Sequence, residues 1–195
     1  MTDRNHKAYK GVSQEYSICT IPRVGSFYLQ DRILQHTGIH VKKYHSFKDN
    51  KMITIVRDPI DTLASKLAMT AAYDKNNQTL DQIRNSKDNT VDLDIYIDML
   101  SKVAASEHTF IIIDYDDLVN SPFETTLVLA DIMNLPIITK DYKEGSIREY
   151  PENSHILSSK KVAEYQEIRS YVEGLDLSLL YDFHNKALAQ CIKIK

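Results

Sequence analysis

Three times in this chain a β-type apolar run passes within a few residues into a helical pattern, and that repetition limits the fold more than any other feature. YSICTI at 16–21 leads to FYLQDRILQHT at 27–37, KMITIV at 51–56 leads to IDTLASKLAMTAA, and TFIIIDY at 109–115 leads to SPFETTLVLADIMNL. The runs are rich in Ile, Val and Thr, which suit a pleated surface. TFIIIDY is continuously apolar rather than alternating, the mark of a strand covered on both faces in a parallel sheet. Strands alternating with helices therefore predict an α/β fold of three layers, α/β/α, around a mainly parallel central sheet.

Local signals set the expected boundaries. Gly38 closes the first helix, and IHVKKYH after it reads as a short strand or extended segment. Asp58 is placed to cap the second helix, with Pro59 at its first position and Asp61 in its first turn. Ser121, Pro122 and Glu124 stand in capping-box register before the helix that follows TFIIIDY. VDLDIYIDMLSKVAAS carries apolar residues three and four apart, and SKKVAEYQEIRSYVE and LSLLYDFHNKALAQCI complete the helices. No repeat and no Pro/Gly-rich linker divides the 195 residues. One domain over 1–195 is expected, with a flexible tail at 1–14 and a polar surface insertion or lid at 73–90.

The remaining classes narrow quickly. An apolar content of 43% is enough for a sizeable core, which sets disorder aside. Lys+Arg 24 against Asp+Glu 27 gives a net charge of −3, so nucleic acid is not an expected partner and any anion site must be local. Two cysteines, Cys19 and Cys191, form neither a disulfide framework nor a zinc pattern. The polar N-terminal stretch and the lack of any run of about 18 apolar residues argue against a membrane partner, so a soluble, cytoplasmic location is expected.

Three short stretches have residue types suited to anion chemistry. IPRVGSF at 21–27 joins a strand to a helix, and Arg23, Gly25 and Ser26 there offer charge, close backbone approach and a hydroxyl to an anion at the helix N-terminus. Any strand-to-helix turn can contain Gly and Ser, so the loop alone is weakly specific. VRDPIDTLAS at 56–65 puts Arg57 at a strand end and Ser65 eight positions later. At about 1.5 Å per residue Ser65 lies about two turns into the helix, so both reach one ligand only if it extends along those turns, as a nucleotide with a second phosphate would. KKYH at 42–45 ends in His45, six residues before a core strand; a histidine suits proton abstraction near neutral pH but more commonly sits at a surface.

Taken together and in this order, the stretches resemble the sulfotransferases that use 3′-phosphoadenosine 5′-phosphosulfate (PAPS). IPRVGSFYL is similar to that family's donor loop, P-[KR]-S-G-[TS]-[TS]-[WF]-L. KYH followed by KMITIVRDPIDTLASKLA looks like its K-T-H segment and its R-[ND]-P-x-D-x-x-x-S element. IIIDYDDLVNSPFETTLVLADIMNL is similar to its later strand, acidic turn and helix. The likeness covers residues 16–135 and implies the P-loop NTPase-like sulfotransferase fold. It further implies that PAPS is the donor, 3′-phosphoadenosine 5′-phosphate (PAP) the product, and that no metal takes part.

Residue by residue, the resemblance gives Arg23 the task of gripping the phosphosulfate and the leaving oxygen. The backbone of Val24, Gly25, Ser26, Phe27 and Tyr28, with the Ser26 hydroxyl, would cradle the 5′-phosphate. Arg57 and Ser65 would hold the 3′-phosphate, Lys43 would neutralise the sulfuryl group in flight, and His45 would be the general base. The chemistry itself calls for such groups, because negative charge develops on the leaving oxygen of an in-line displacement.

The sequence also departs from the pattern. Phe27 stands where a second hydroxyl is usual, Val24 replaces a common Ser, and the family's C-terminal R-K-G run has no counterpart, so Ser158 and Lys160 of SSKK are taken in its place. The acceptor is expected to be a small molecule or a saccharide bound by a shallow pocket, or one that a partner or second subunit completes, which would make a homo-oligomer. A P-loop kinase would need GxxxxGK[ST], and IPRVGSF has neither Lys nor Ser in that register. A degenerate member kept as a nucleotide sensor or interaction module is the other alternative.

Overall fold

The computed structural model describes residues 11–21, 24–46, 51–73, 88–105, 110–138 and 159–192. In chain order these form β1 (Gly11–Cys19), α1 (Ser26–Thr37), β2 (Ile39–Tyr44), β3 (Lys51–Val56), α2 (Pro59–Tyr73), α3 (Asp88–Ala104), β4 (Phe110–Asp114), α4 (Tyr115–Asn120), α5 (Pro122–Ile132), α6 (Ser159–Glu173) and α7 (Ser178–Leu188). The described strands make one four-stranded sheet in the order β2-β1-β3-β4. Every neighbouring pair is parallel, with Ile18 level with Lys43 on one side and Ile53 on the other, and Val56 level with Asp114.

Topology explains the layers. The chain leaves β1 through α1 to reach β2 on one flank, then builds β3 and β4 toward the other flank. Right-handed crossovers running in opposite directions put their helices on opposite faces. Accordingly α1 packs on β2 and against α5, whereas α2 packs with α6, and α3 with α7, which also rests on β3 and β4. Cover on both faces is why Met52 to Val56 and Ile111 to Ile113 are buried without alternation. The outer edge of β4 is not bare, since the Ile192 N–H donates to the Ile112 carbonyl at 2.8 Å.

Most expected boundaries hold within a few residues. β3 spans the six residues of KMITIV, and α1 ends at Gly38, whose left-handed backbone turns its N–H to the Leu34 carbonyl at 2.8 Å. Asp58 caps α2 as expected, its Oδ1 accepting the Asp61 N–H at 3.0 Å. Two expectations need correction. β1 begins at Gly11, so residues 11–14 are strand and not tail, because Ile39 and His40 of β2 supply partners for Gly11 and Val12. Pro59's counterpart, Pro122, does open α5, but the Ser121 side chain makes no cap hydrogen bond. Ser121 also closes α4, donating its N–H to Asp117, and its backbone at φ −135°, ψ 58° serves both helices. The tail at 1–10 and the core of the expected lid at 74–87 lie outside the described residues.

The junction from β1 to α1 depends on one glycine. Gly25 sits at φ 84°, and a Cβ there would lie 3.2 Å from the Tyr115 ring. Gly25→Ala is therefore expected to lower unfolding free energy by about 1–3 kcal/mol in urea titrations. Gly174→Ala, at a position without positive φ, should shift the midpoint far less. Equal effects would contradict this account of the turn.

Candidate functional site

Parallel strands bring all their carboxyl ends to one edge of the sheet, and between β1 and β3 the outgoing connections part in opposite directions. Open α/β sheets form a crevice at such a point, with the helix N-termini that follow the two strands on either side. Here those are the N-termini of α1 and α2.

The α1 side is prepared for an anion. Gly25 occupies the N-cap and has no side chain to cap the leading N–H groups, and no acidic residue lies in the first turn. Those groups, on Ser26, Phe27 and Tyr28, together with the helix dipole attract negative charge. Val24 is fully buried, so its side chain belongs to the core and only its backbone faces the turn, while Ser26 is buried at the first helical position. Arg23 lies outside the described residues.

Phe27, where a hydroxyl was expected, is half exposed, and its ring meets a cation: the Lys43 Nζ is 3.4 Å from the ring centroid. Register accounts for the meeting, because Val41 of β2 is buried beneath α1 and Lys43, two residues on, projects to the same side. Desolvation holds the Lys43 ammonium below its ordinary pKa, and the aromatic face returns attraction of about 0.5–2 kcal/mol. Tyr28 is half-buried with the Arg32 guanidinium 4.7 Å over its ring, one turn along α1.

His45 follows β2 directly and is exposed. Its Nδ1 lies 2.7 Å from the Thr20 carbonyl. A carbonyl only accepts, so the neutral ring carries its proton on Nδ1 and leaves the lone pair on Nε2. Thr20 also donates its N–H to Tyr44 at 3.3 Å, so the β1–β2 ladder runs one residue further and fixes the base candidate beside the β1 loop.

On the other side of the crevice, Arg57 is half-buried with its guanidinium 4.4 Å over the Tyr115 ring. That ring is the one Gly25 must accommodate, so Tyr115 links the α1 turn to Arg57. The Arg57 carbonyl accepts from Tyr96 of α3 at 3.2 Å, and burial drives the Tyr96 phenol well above its usual pKa. Asp58 binds Asp61 N–H through Oδ1 and the Tyr181 hydroxyl through Oδ2 at 2.9 Å. Ser65 is half-buried one turn beyond Asp61, which pairs with Arg169 of α6.

The structure thus gathers Gly25, Ser26, Phe27, Lys43, His45 and Arg57 at one sheet edge. Ser158 lies outside the described residues, as does the side chain of Lys160. Among the described side chains of α6, Arg169 pairs with Asp61 of α2. Sequence reasoning also gave no role to Tyr115, Tyr96 or Tyr181. Only Tyr115 had a legible cue, its place directly after an apolar strand at the ligand-binding edge. Among the described residues, no cluster of three His, Cys, Asp or Glu side chains forms a metal site, and no helix is long and apolar enough to cross a membrane.

Comparison with known proteins agrees with the parallel α/β architecture. No curated protein matches the sequence. The family model described as the sulfotransferase family matches residues 33–139, more than half the chain, taking in β2, His45, the Arg57 turn and β4. The β1 loop precedes the matched stretch, yet it stands across the crevice from Arg57 as the α/β topology requires. On this match, together with its parallel α/β architecture, the chain belongs to the sulfotransferase family.

Proposed function

We propose that this sulfotransferase takes its sulfuryl group from PAPS and passes it to a hydroxyl or amine of a small-molecule or saccharide acceptor. The observation that carries the reading is the pairing of two cationic elements across one crevice. An acid-free α1 N-terminus with glycine at its N-cap lies on one side and Arg57 on the other, with Tyr115 between them. A nucleotide phosphorylated at both its 5′ and 3′ positions has anions at the two ends that such a crevice would take. An arginine suits the second phosphate because it can bind two oxygens at once.

In this reading α1 holds the 5′-phosphate through its first N–H groups, and Arg57 with Ser65 selects the 3′-phosphate. His45 Nε2 removes the acceptor's proton as the acceptor oxygen or nitrogen bonds to sulfur and the bond from sulfur to the 5′-phosphate oxygen breaks. Arg23 and Lys43 balance the charge that collects on the departing oxygen. Phe27 supplies no hydroxyl to the phosphate; its ring holds Lys43 at the mouth of the α1 turn.

Calorimetry provides the first test. PAP should bind at least about tenfold more tightly than 5′-AMP, the worth of one hydrogen bond to a charged group. Arg57→Ala should erase that preference and retain AMP binding. Equal affinity for the two nucleotides in the parent protein would refute the donor assignment. The second test follows release of PAP from PAPS with phenolic and saccharide acceptors. His45→Gln keeps a donor for the Thr20 carbonyl but no base, and turnover should fall by about 10²–10⁴-fold with PAP affinity unchanged. A parent protein that binds PAP without turnover would instead mark a nucleotide-binding module.

A further inference from the structure

The turn that carries Arg57 is held from outside the stretch that matches the family. Tyr181 of α7 lies 123 residues beyond Asp58, and its hydroxyl donates to Asp58 Oδ2 at 2.9 Å. The other carboxylate oxygen, Oδ1, is already committed to the Asp61 N–H at 3.0 Å, and the Asp58 carbonyl accepts the Thr62 N–H at 3.0 Å. We propose that Tyr181 is a positioning residue for the anion site at Arg57, acting through Asp58.

Two physical effects support this. The first is geometric. Asp58 adjoins Arg57, and a carboxylate fixed at both oxygens has one rotamer, which fixes the peptide from which Arg57 departs. Tyr96 holds the Arg57 carbonyl from α3, so the dipeptide is tied to two helices. The second is electrostatic. A carboxylate beside an anion site repels the anion, and a phenol hydrogen bond draws its charge away from the crevice and toward α7. Partial burial and the Asp58 contact push the Tyr181 phenol up to about 12, so it remains a donor at neutral pH. The Tyr181 ring also packs edge-on against His184, centroids 5.9 Å apart, which limits its swing.

This inference rests on the 3′-phosphate reading of Arg57, and one set of titrations separates the two. PAP and 5′-AMP are titrated into the parent protein, Tyr181→Phe and Lys186→Ala, with Tm recorded for each. Lys186→Ala removes an exposed ion pair to Asp182 on the same helix and reports on general loosening of α7. The expected result is a loss in Tyr181→Phe of about fivefold to tenfold in PAP affinity with AMP affinity and Tm nearly unchanged. Lys186→Ala should keep the parental ratio. A parental PAP preference retained in Tyr181→Phe overturns the inference alone, as does an equal fall for both nucleotides or the same change in Lys186→Ala. A parent protein without preference overturns the donor reading and the inference with it.

Discussion

The parallel pairing of β1 with β3 is the constraint on which the rest depends. Because the two strands run the same way, the loops after them emerge side by side, and because the chain then departs in opposite directions, neither connecting helix covers the gap. Two helix N-termini therefore face one crevice as a consequence of strand order. Burial of Ile18, Ile53, Ile55 and Ile113 between the two helix layers holds that order in place. An antiparallel β3 would send the Arg57 turn to the far edge of the sheet, away from Gly25 and His45.

On this frame the side chains of the site are secured through one another. His45 is set by a main-chain carbonyl of the neighbouring strand, Lys43 by the Phe27 ring, and Arg57 by Tyr115 beneath it and the hydrogen bond that its own carbonyl accepts from Tyr96. The exchange at Phe27 is instructive. At the β1–α1 turn Phe27 offers an aromatic surface that places an ammonium at the positive end of α1, where an incoming anion would offset the unfavourable proximity.

Legibility in the sequence followed the range of the interaction. KMITIV, Gly38 and the Asp58–Pro59 start were readable because strand propensity, a left-handed closing turn and an N-cap act over a few residues. The Ser121 capping box failed although it is local, since α4 ends where α5 begins and one residue must serve both. The early start of β1 depended on partners in β2, and the Tyr181–Asp58 and Arg169–Asp61 contacts join residues more than a hundred positions apart. No spacing rule links such pairs. His45 and Arg57 could be singled out as candidates because residue types suited to anion chemistry stood at strand ends, and the topology gathers those ends at one sheet edge.

The most direct measurement is a crystal structure of the protein with PAP bound. The account predicts the 5′-phosphate against the backbone of residues 24–28 and the 3′-phosphate against Arg57. It also predicts His45 Nε2 directed at the space beyond the 5′-phosphate where a sulfuryl group would extend. A nucleotide seated away from the β1–β3 crevice, or one whose 3′-phosphate points into solvent with Arg57 still stacked and uninvolved, would contradict it.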